Sequence, residues 1–249
     1  MSHPRPKMTL ICVVHYIKLF YRSALLITGV LLYVCNRNAT LGETWVGFQN
    51  NMWFLLVMGI AYVAEMILRF FPSKLESPGC QKIFKKGYEP TGKEYGKPNT
   101  RKSALAVAAA WIVLNGVIGV LYFCKILDSG ILILVSLAYA VCDLICILFF
   151  CPFQTWFMKN KCCTTCRIYN WDFVMMCTPL VFIARPFSWT LVGLSLLLLI
   201  YWEITLRIHP ERFSESTNAK LNCANCTEKL CRHKKQLRNF IKNRVKREK

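Results

Sequence analysis

The sequence predicts an all-α integral membrane protein: a six-transmembrane-helix bundle with cytoplasmic N- and C-termini and cysteine-rich cytoplasmic segments. Three observations carry this prediction. Of 249 residues, 55% are hydrophobic and only 18% are charged. The apolar residues gather in six runs rather than scattering. The 32 Lys+Arg outnumber the 13 Asp+Glu, giving a formal net charge of +19, and they cluster in particular linkers. A soluble domain carries about 25% charged residues, and a disordered chain has low hydrophobicity. With 12 Gly and 10 Pro the chain is not a collagen-like fibre either.

A helix needs ~20 apolar residues to cross ~30 Å of hydrocarbon. The first run, 17–35, contains Lys18 and Arg22, which requires that end to reach the interface. Leu10, Ile11, Val13 and Val14 extend the helix upstream along the membrane surface. A cleaved signal peptide is the rival reading of this region. An uncleaved helix is preferred because no small-x-small site follows closely. The second run is 52–71, the third 104–123 and the fourth 130–150. The fifth, 169–184, is short and holds Pro179; the sixth is 187–206. Period-2 alternation, which a membrane barrel needs, is missing from all of them. Residues 1–210 thus form a membrane domain and 211–249 a cytoplasmic basic tail.

Orientation follows from the cations. Residues 1–22, 72–103, 151–168 and 207–249 together carry 28 Lys and Arg, with Arg69 adjoining them, and the remaining linkers carry three, Arg37, Lys125 and Arg185. This asymmetry directs both termini and both long linkers to the cytoplasm, with six spans in the cell membrane. It also makes 169–184 a crossing, since otherwise the most basic stretch would lie outside.

The 14 cysteines are the most informative feature. Cys151, Cys162, Cys163 and Cys166 belong to CPFQTWFMKNKCCTTC, Cys223, Cys226 and Cys231 to CANCTEKLC, and Cys80 to the 72–103 linker. All eight fall on the cytoplasmic side, where thiols stay reduced and structural disulfides are rare. Clustered thiols there read as metal ligands or redox groups. Cys163–Cys166 and Cys223–Cys226 are C-x-x-C pairs, each able to bring two thiolates to one ion from a tight turn. Together they complete a four-thiolate site, or each cluster holds its own. Cys151-Pro152 resembles the end of a ferredoxin cysteine run, whereas the remaining spacing does not. The expected cofactor is therefore an iron–sulfur cluster or zinc. Cys12, Cys35, Cys124 and Cys177 read as small hydrophobes inside helices. Cys162 and Cys163 also suit S-palmitoylation.

Ionisable residues at membrane depth are functional hypotheses. Asp143 lies about two turns from the end of the fourth run, with Cys142 beside it and Cys146 one turn on. Asp143 and Cys146 thus form a possible intramembrane polar site leading toward Cys151. Glu65 is spaced to pair with Arg69, Asn115 to bond a neighbouring helix, and Asp172 and Glu203 to be solvated near the interface. Heme b needs paired histidines in the bundle, and the four histidines are His3, His15, His209 and His233. Phosphate-loop, dinucleotide, zinc-protease and serine-hydrolase motifs are absent. In the tail, Leu230, Leu237, Ile241 and Val245 make an apolar stripe among basic residues. This fits the anionic inner leaflet better than nucleic acid, the rival partner. Three functions emerge: a redox or electron-transfer protein with an unidentified redox partner, a scaffold whose zinc clips the 151–166 linker to the tail, and a transporter of a soft metal cation.

Overall fold

The computed structural model describes residues 10–39, 52–72, 83–93, 101–158, 166–222 and 225. Among them the regular structure is helical throughout, apart from an isolated antiparallel bridge between Pro90 and Asn218. Helix α1 is Leu10–Ala39, α2 Met52–Phe70, α3 Arg101–Phe123 and α4 Ser129–Leu148. A short α5, Asp172–Cys177, precedes α6, Pro186–Ile208. Five helices are long and apolar enough to cross a membrane: α1, α2, α3, α4 and α6.

The predicted first run lies within α1. Residues 10–14 continue the helix upstream, as expected, and Cys12 is buried against Leu148 at the end of α4. No proline or glycine precedes Gly29 in α1, so nothing breaks the backbone ladder there. At the other end of this pair, Asp128 caps α4 by accepting from the Ile131 N–H at 2.9 Å. The same carboxylate accepts from the Tyr33 hydroxyl of α1 at 2.7 Å. One side chain thereby satisfies an orphan helix donor and joins two helices.

Helix α4 stops where the chain reaches Pro152, because a following proline disfavours the α conformation at Cys151. A single π turn, Phe153–Phe157, follows. The fifth predicted run is helical but composite: 3₁₀ over Tyr169–Trp171, α5, then 3₁₀ over Thr178–Phe182. Pro179 brings no N–H to the ladder, and the tighter winding begins beside it. The composite segment runs through the core, with Phe173, Met176, Cys177 and Leu180 all buried.

Two glycines fix where this segment turns back. A Cβ on Gly119 of α3 would lie 2.5 Å from the Phe182 ring, and one on Gly59 of α2 would lie 2.7 Å from the Phe187 ring. The aromatic residues on either side of the 183–185 turn are thus seated in notches that only glycine leaves open.

At the opposite end, the chain before α3 meets the chain after α6. The Ala219 N–H donates to the Glu89 carbonyl at 2.8 Å, the Thr91 N–H donates to the Thr217 carbonyl at 3.1 Å, and Lys220 pairs with Glu89 at 3.0 Å. Phe84 and Phe213 both pack on the buried Trp202 of α6, with ring centroids 5.2 and 6.2 Å away.

Candidate functional site

Charged residues in the helix interiors come together as ion pairs. Arg22 and Lys18, one turn apart on α1, both reach Glu65 of α2. Arg22 Nη2 lies 2.6 Å and Lys18 Nζ 3.4 Å from Glu65 Oε2. Arg22 Nη1 donates to the Ala140 carbonyl of α4 at 2.7 Å and faces Asp143 Oδ2 at 3.4 Å and Met176 Sδ at 3.7 Å. Arg22 is only 2% exposed. It is therefore enclosed by its partners instead of reaching the interface.

Glu65 and Arg69 are spaced to pair along α2, and each reaches across to another element: Glu65 binds Arg22 and Lys18 of α1, and Arg69 grips Asp172 of α5. Arg69 Nη1 donates to Asp172 Oδ1 at 2.8 Å and Nη2 lies 2.5 Å from Oδ2. The Arg69 guanidinium also lies over the Phe173 ring, 4.8 Å from its centroid. Asp172 was expected in solvent and is instead 8% exposed. Glu203, likewise expected in solvent, accepts two bonds from Arg167 at 2.6 and 2.5 Å and one from the Trp171 indole at 2.8 Å. Asn115 donates to Trp111 of its own helix at 3.0 Å, not to a neighbour, and its buried Oδ1 has no partner among the described residues. For Asp172 and Glu203 the physical reason is the same: a charge withdrawn from water without a partner costs several kcal/mol, so each takes an arginine.

The depth of the network can be read from three helices. Arg22 is 13 residues from Cys35, Glu65 is 13 from Met52, and Asp143 is 14 from Ser129. At 1.5 Å per residue each separation is roughly 20 Å. The layer of charge thus lies about two-thirds of the way across a ~30 Å hydrocarbon core, towards the end where 83–93 meets 210–222.

Beside this layer is a cavity of ≈ 260 Å³ between α3, α4, the π turn and the composite segment. Six of its lining residues bear sulfur: Cys142, Cys146, Cys151, Cys166, Met175 and Met176. Asp143 and Asp172 also border it. Trp111 forms part of the wall, with the Tyr139 and Phe153 ring centroids 4.7 and 6.1 Å away.

No protein-family model, curated protein or solved structure matches this chain.

The structure brings together Asp143, Cys146, Cys151 and Cys166, four of the sequence-predicted site residues, around one cavity. Cys162, Cys163, Cys223, Cys226 and Cys231 lie outside the described residues. Among the described residues no group of three or more His, Cys, Asp or Glu is arranged to hold a metal ion. Cys12 and Cys177 are buried as apolar side chains, as predicted, while Cys35 and Cys124 are exposed. Sequence reasoning missed Arg22 as the centre of the ion network and Met176 as the thioether shared by network and cavity. The available signal was Lys18 and Arg22 at i, i+4 inside an apolar helix, a face that demands carboxylates opposite.

Proposed function

We propose that this is a multi-pass protein of the cell membrane that binds a metal through cytoplasmic thiols, as an iron–sulfur cluster or zinc, and serves in redox or electron transfer. The observation that carries this reading is the approach of Cys151 and Cys166, which bound the 151–166 cysteine segment, to one cavity. The intended ligands are Cys151, Cys162, Cys163, Cys166, Cys223, Cys226 and Cys231.

The sidedness this reading needs has independent support. The 83–93 linker and the 210–222 segment bond to each other at one end of the bundle, so their basic residues share a compartment. Six crossings follow if the composite segment counts as one. It begins with Asp172 against Arg69 near the end of α2 and closes with Phe182 against Gly119 near the end of α3. Six α residues and eight 3₁₀ residues rise roughly 25 Å, close to a hydrocarbon thickness. Both termini are then cytoplasmic, and the basic tail from Cys231 onward meets anionic inner-leaflet lipid.

Anaerobic purification followed by metal analysis tests the reading. Serine at Cys163, Cys166, Cys223 or Cys226 should lower the metal content, and serine at Cys35 or Cys177 should not. Equal content in both groups eliminates the ligand assignment. Bound iron with visible absorbance supports redox chemistry, whereas colourless protein with about one zinc supports the scaffold that clips linker to tail. A second reading, transport of a soft metal cation, is favoured by one observation: the cavity extends from Cys151 and Cys166 to Asp143 within the bundle.

A further inference from the structure

We infer that the sulfur-lined cavity is itself a binding site for a thiophilic monovalent cation, Cu(I) or its analogue Ag(I), held by Cys142, Cys146 and Met176. The inference deepens the soft-cation reading and rests on that reading's choice of ligand class. Its ligands, however, are separate from the cytoplasmic C-x-x-C pairs.

Cys142 and Cys146 stand one helical turn apart on α4, where Cβ atoms are ~5–6 Å apart. Two thiols at that spacing can close on a single ion between them. Met176 borders the same cavity from α5, and its sulfur lies 3.7 Å from Arg22 Nη1. Soft thiolate and thioether donors select Cu(I), whereas carboxylate and carbonyl oxygens suit hard cations. A two-cysteine, one-methionine set is compatible with the lack of any group of three His, Cys, Asp or Glu among the described residues.

Charge and donor number together favour a monovalent over a divalent ion. Among the described residues the ion pairs beside the cavity join three cations, Lys18, Arg22 and Arg69, to three carboxylates, Glu65, Asp143 and Asp172. These six charges cancel before any ligand arrives. Both carboxylates that border the cavity already face an arginine, so an added cation finds no surplus negative charge. A divalent ion must displace both thiol protons to avoid adding charge, and two thiolates with one thioether leave zinc short of its usual four ligands. A monovalent ion that displaces one thiol proton leaves the net charge unchanged. One S–H bond breaks, one S–Cu bond forms, and one proton leaves. The second thiol and the thioether then donate as neutral groups.

The test uses the full chain in lipid nanodiscs, anaerobic and with a reductant that is not a thiol. Alkylation by a membrane-permeant maleimide is followed residue by residue by mass spectrometry, with and without one equivalent of Cu(I). The expected result is at least tenfold slower alkylation of Cys142 and Cys146, no change at Cys35 and Cys124, and about one proton released per ion. Zinc at the same concentration should leave Cys142 and Cys146 as reactive as in the metal-free protein. Met176→Leu preserves volume and should remove most of the Cu(I) protection without loss of folded protein. The inference is overturned if Cu(I) leaves Cys142 and Cys146 reactive, or if zinc protects them equally. Serine at Cys163, Cys166, Cys223 and Cys226 separates the two ideas. Loss of iron or zinc with the cavity still protected by Cu(I) supports both sites. Iron or zinc content untouched by those substitutions sinks the cytoplasmic site alone.

Discussion

The buried ion network offers the sharpest quantitative test, in the pair Arg22 and Glu65. With side chains 3% and 9% exposed and 2.6 Å between Nη2 and Oε2, the pair is screened little by solvent. At an effective dielectric of about 20 the attraction is about 6 kcal/mol, and the 3.4 Å contact with Asp143 adds about 5. Desolvation offsets much of this, so removing one partner of a buried pair costs about 3–5 kcal/mol net. Arg22→Met leaves the network one cation short, and Glu65→Met leaves it one carboxylate short. Each single substitution should therefore destabilise by about 3–5 kcal/mol. The double substitution restores neutrality, with Lys18 and Asp143 balancing each other, and buries two apolar side chains in place of two charges. Its cost should fall below the sum of the singles by at least about 2 kcal/mol. Reversible unfolding in mixed micelles of increasing denaturing detergent measures all four proteins. If the two singles add to within about 0.5 kcal/mol, the residues are independent, and the argument for a charge-balanced layer fails.

Three further predictions follow from single contacts. Gly119→Ala places a Cβ 2.5 Å from the Phe182 ring and should cost about 1–3 kcal/mol as overpacking, whereas Gly116→Ala, which meets nothing within 4 Å, should be neutral or slightly stabilising in the same unfolding assay. Arg69→Lys keeps the charge but loses the two-point grip on Asp172 and the stacking on Phe173; it should destabilise by about 1–3 kcal/mol, and unchanged stability would show that charge alone is sufficient there. Tyr33→Phe removes the hydroxyl bond to Asp128 and should cost about 1 kcal/mol, measured as earlier unfolding with the α4 cap otherwise intact.

The long helices were legible because a span announces itself through composition. The second, third, fourth and sixth predicted runs coincide with α2, α3, α4 and α6 to within a few residues, since ~20 apolar residues in a row admit few other structures. The fifth run was less legible. Pro179 was visible, but the glycine notches in α3 and α2 that seat Phe182 and Phe187 where the segment turns back are a tertiary fact. The ion pairs illustrate the same limit more clearly. Glu65 reaches Arg22 on α1 and Arg69 reaches Asp172 on α5, partners that spacing along α2 alone could not name. Local spacing is worth only a few tenths of a kcal/mol, whereas leaving Arg22 buried without a carboxylate is costlier by an order of magnitude. Sequence alone could identify the charged residues but not their partners.

The same comparison of energies explains why the sulfur residues and the charges belong to one site. Arg22, Glu65 and Asp143 at about two-thirds depth, with Lys18, Arg69 and Asp172 nearer the same end of the bundle, are a standing cost in hydrocarbon, and a bundle stabilised only by packing would be simpler with leucine at those positions. Lys18 and Arg22 on α1, Glu65 and Arg69 on α2, Asp143 on α4 and Asp172 on α5 sum to zero charge. Two of the six border the cavity that also collects Cys142, Cys146 and Met176. A neutral surround is the electrostatic condition under which a thiol can exchange its proton for a monovalent soft ion without creating a net charge inside the membrane. A net positive surround would repel the ion, and a net negative one would admit hard cations as readily. Arg22, which touches Glu65, Asp143 and Met176 together, links these conditions. Its removal should therefore change the cation preference of the cavity as well as the stability of the bundle. The decisive comparison is the Cu(I)-against-zinc protection of Cys142 and Cys146 in Arg22→Met and in Arg22→Met/Glu65→Met. Selectivity should be lost in the first and regained in the second, and equal selectivity in both would separate the charge layer from the sulfur site.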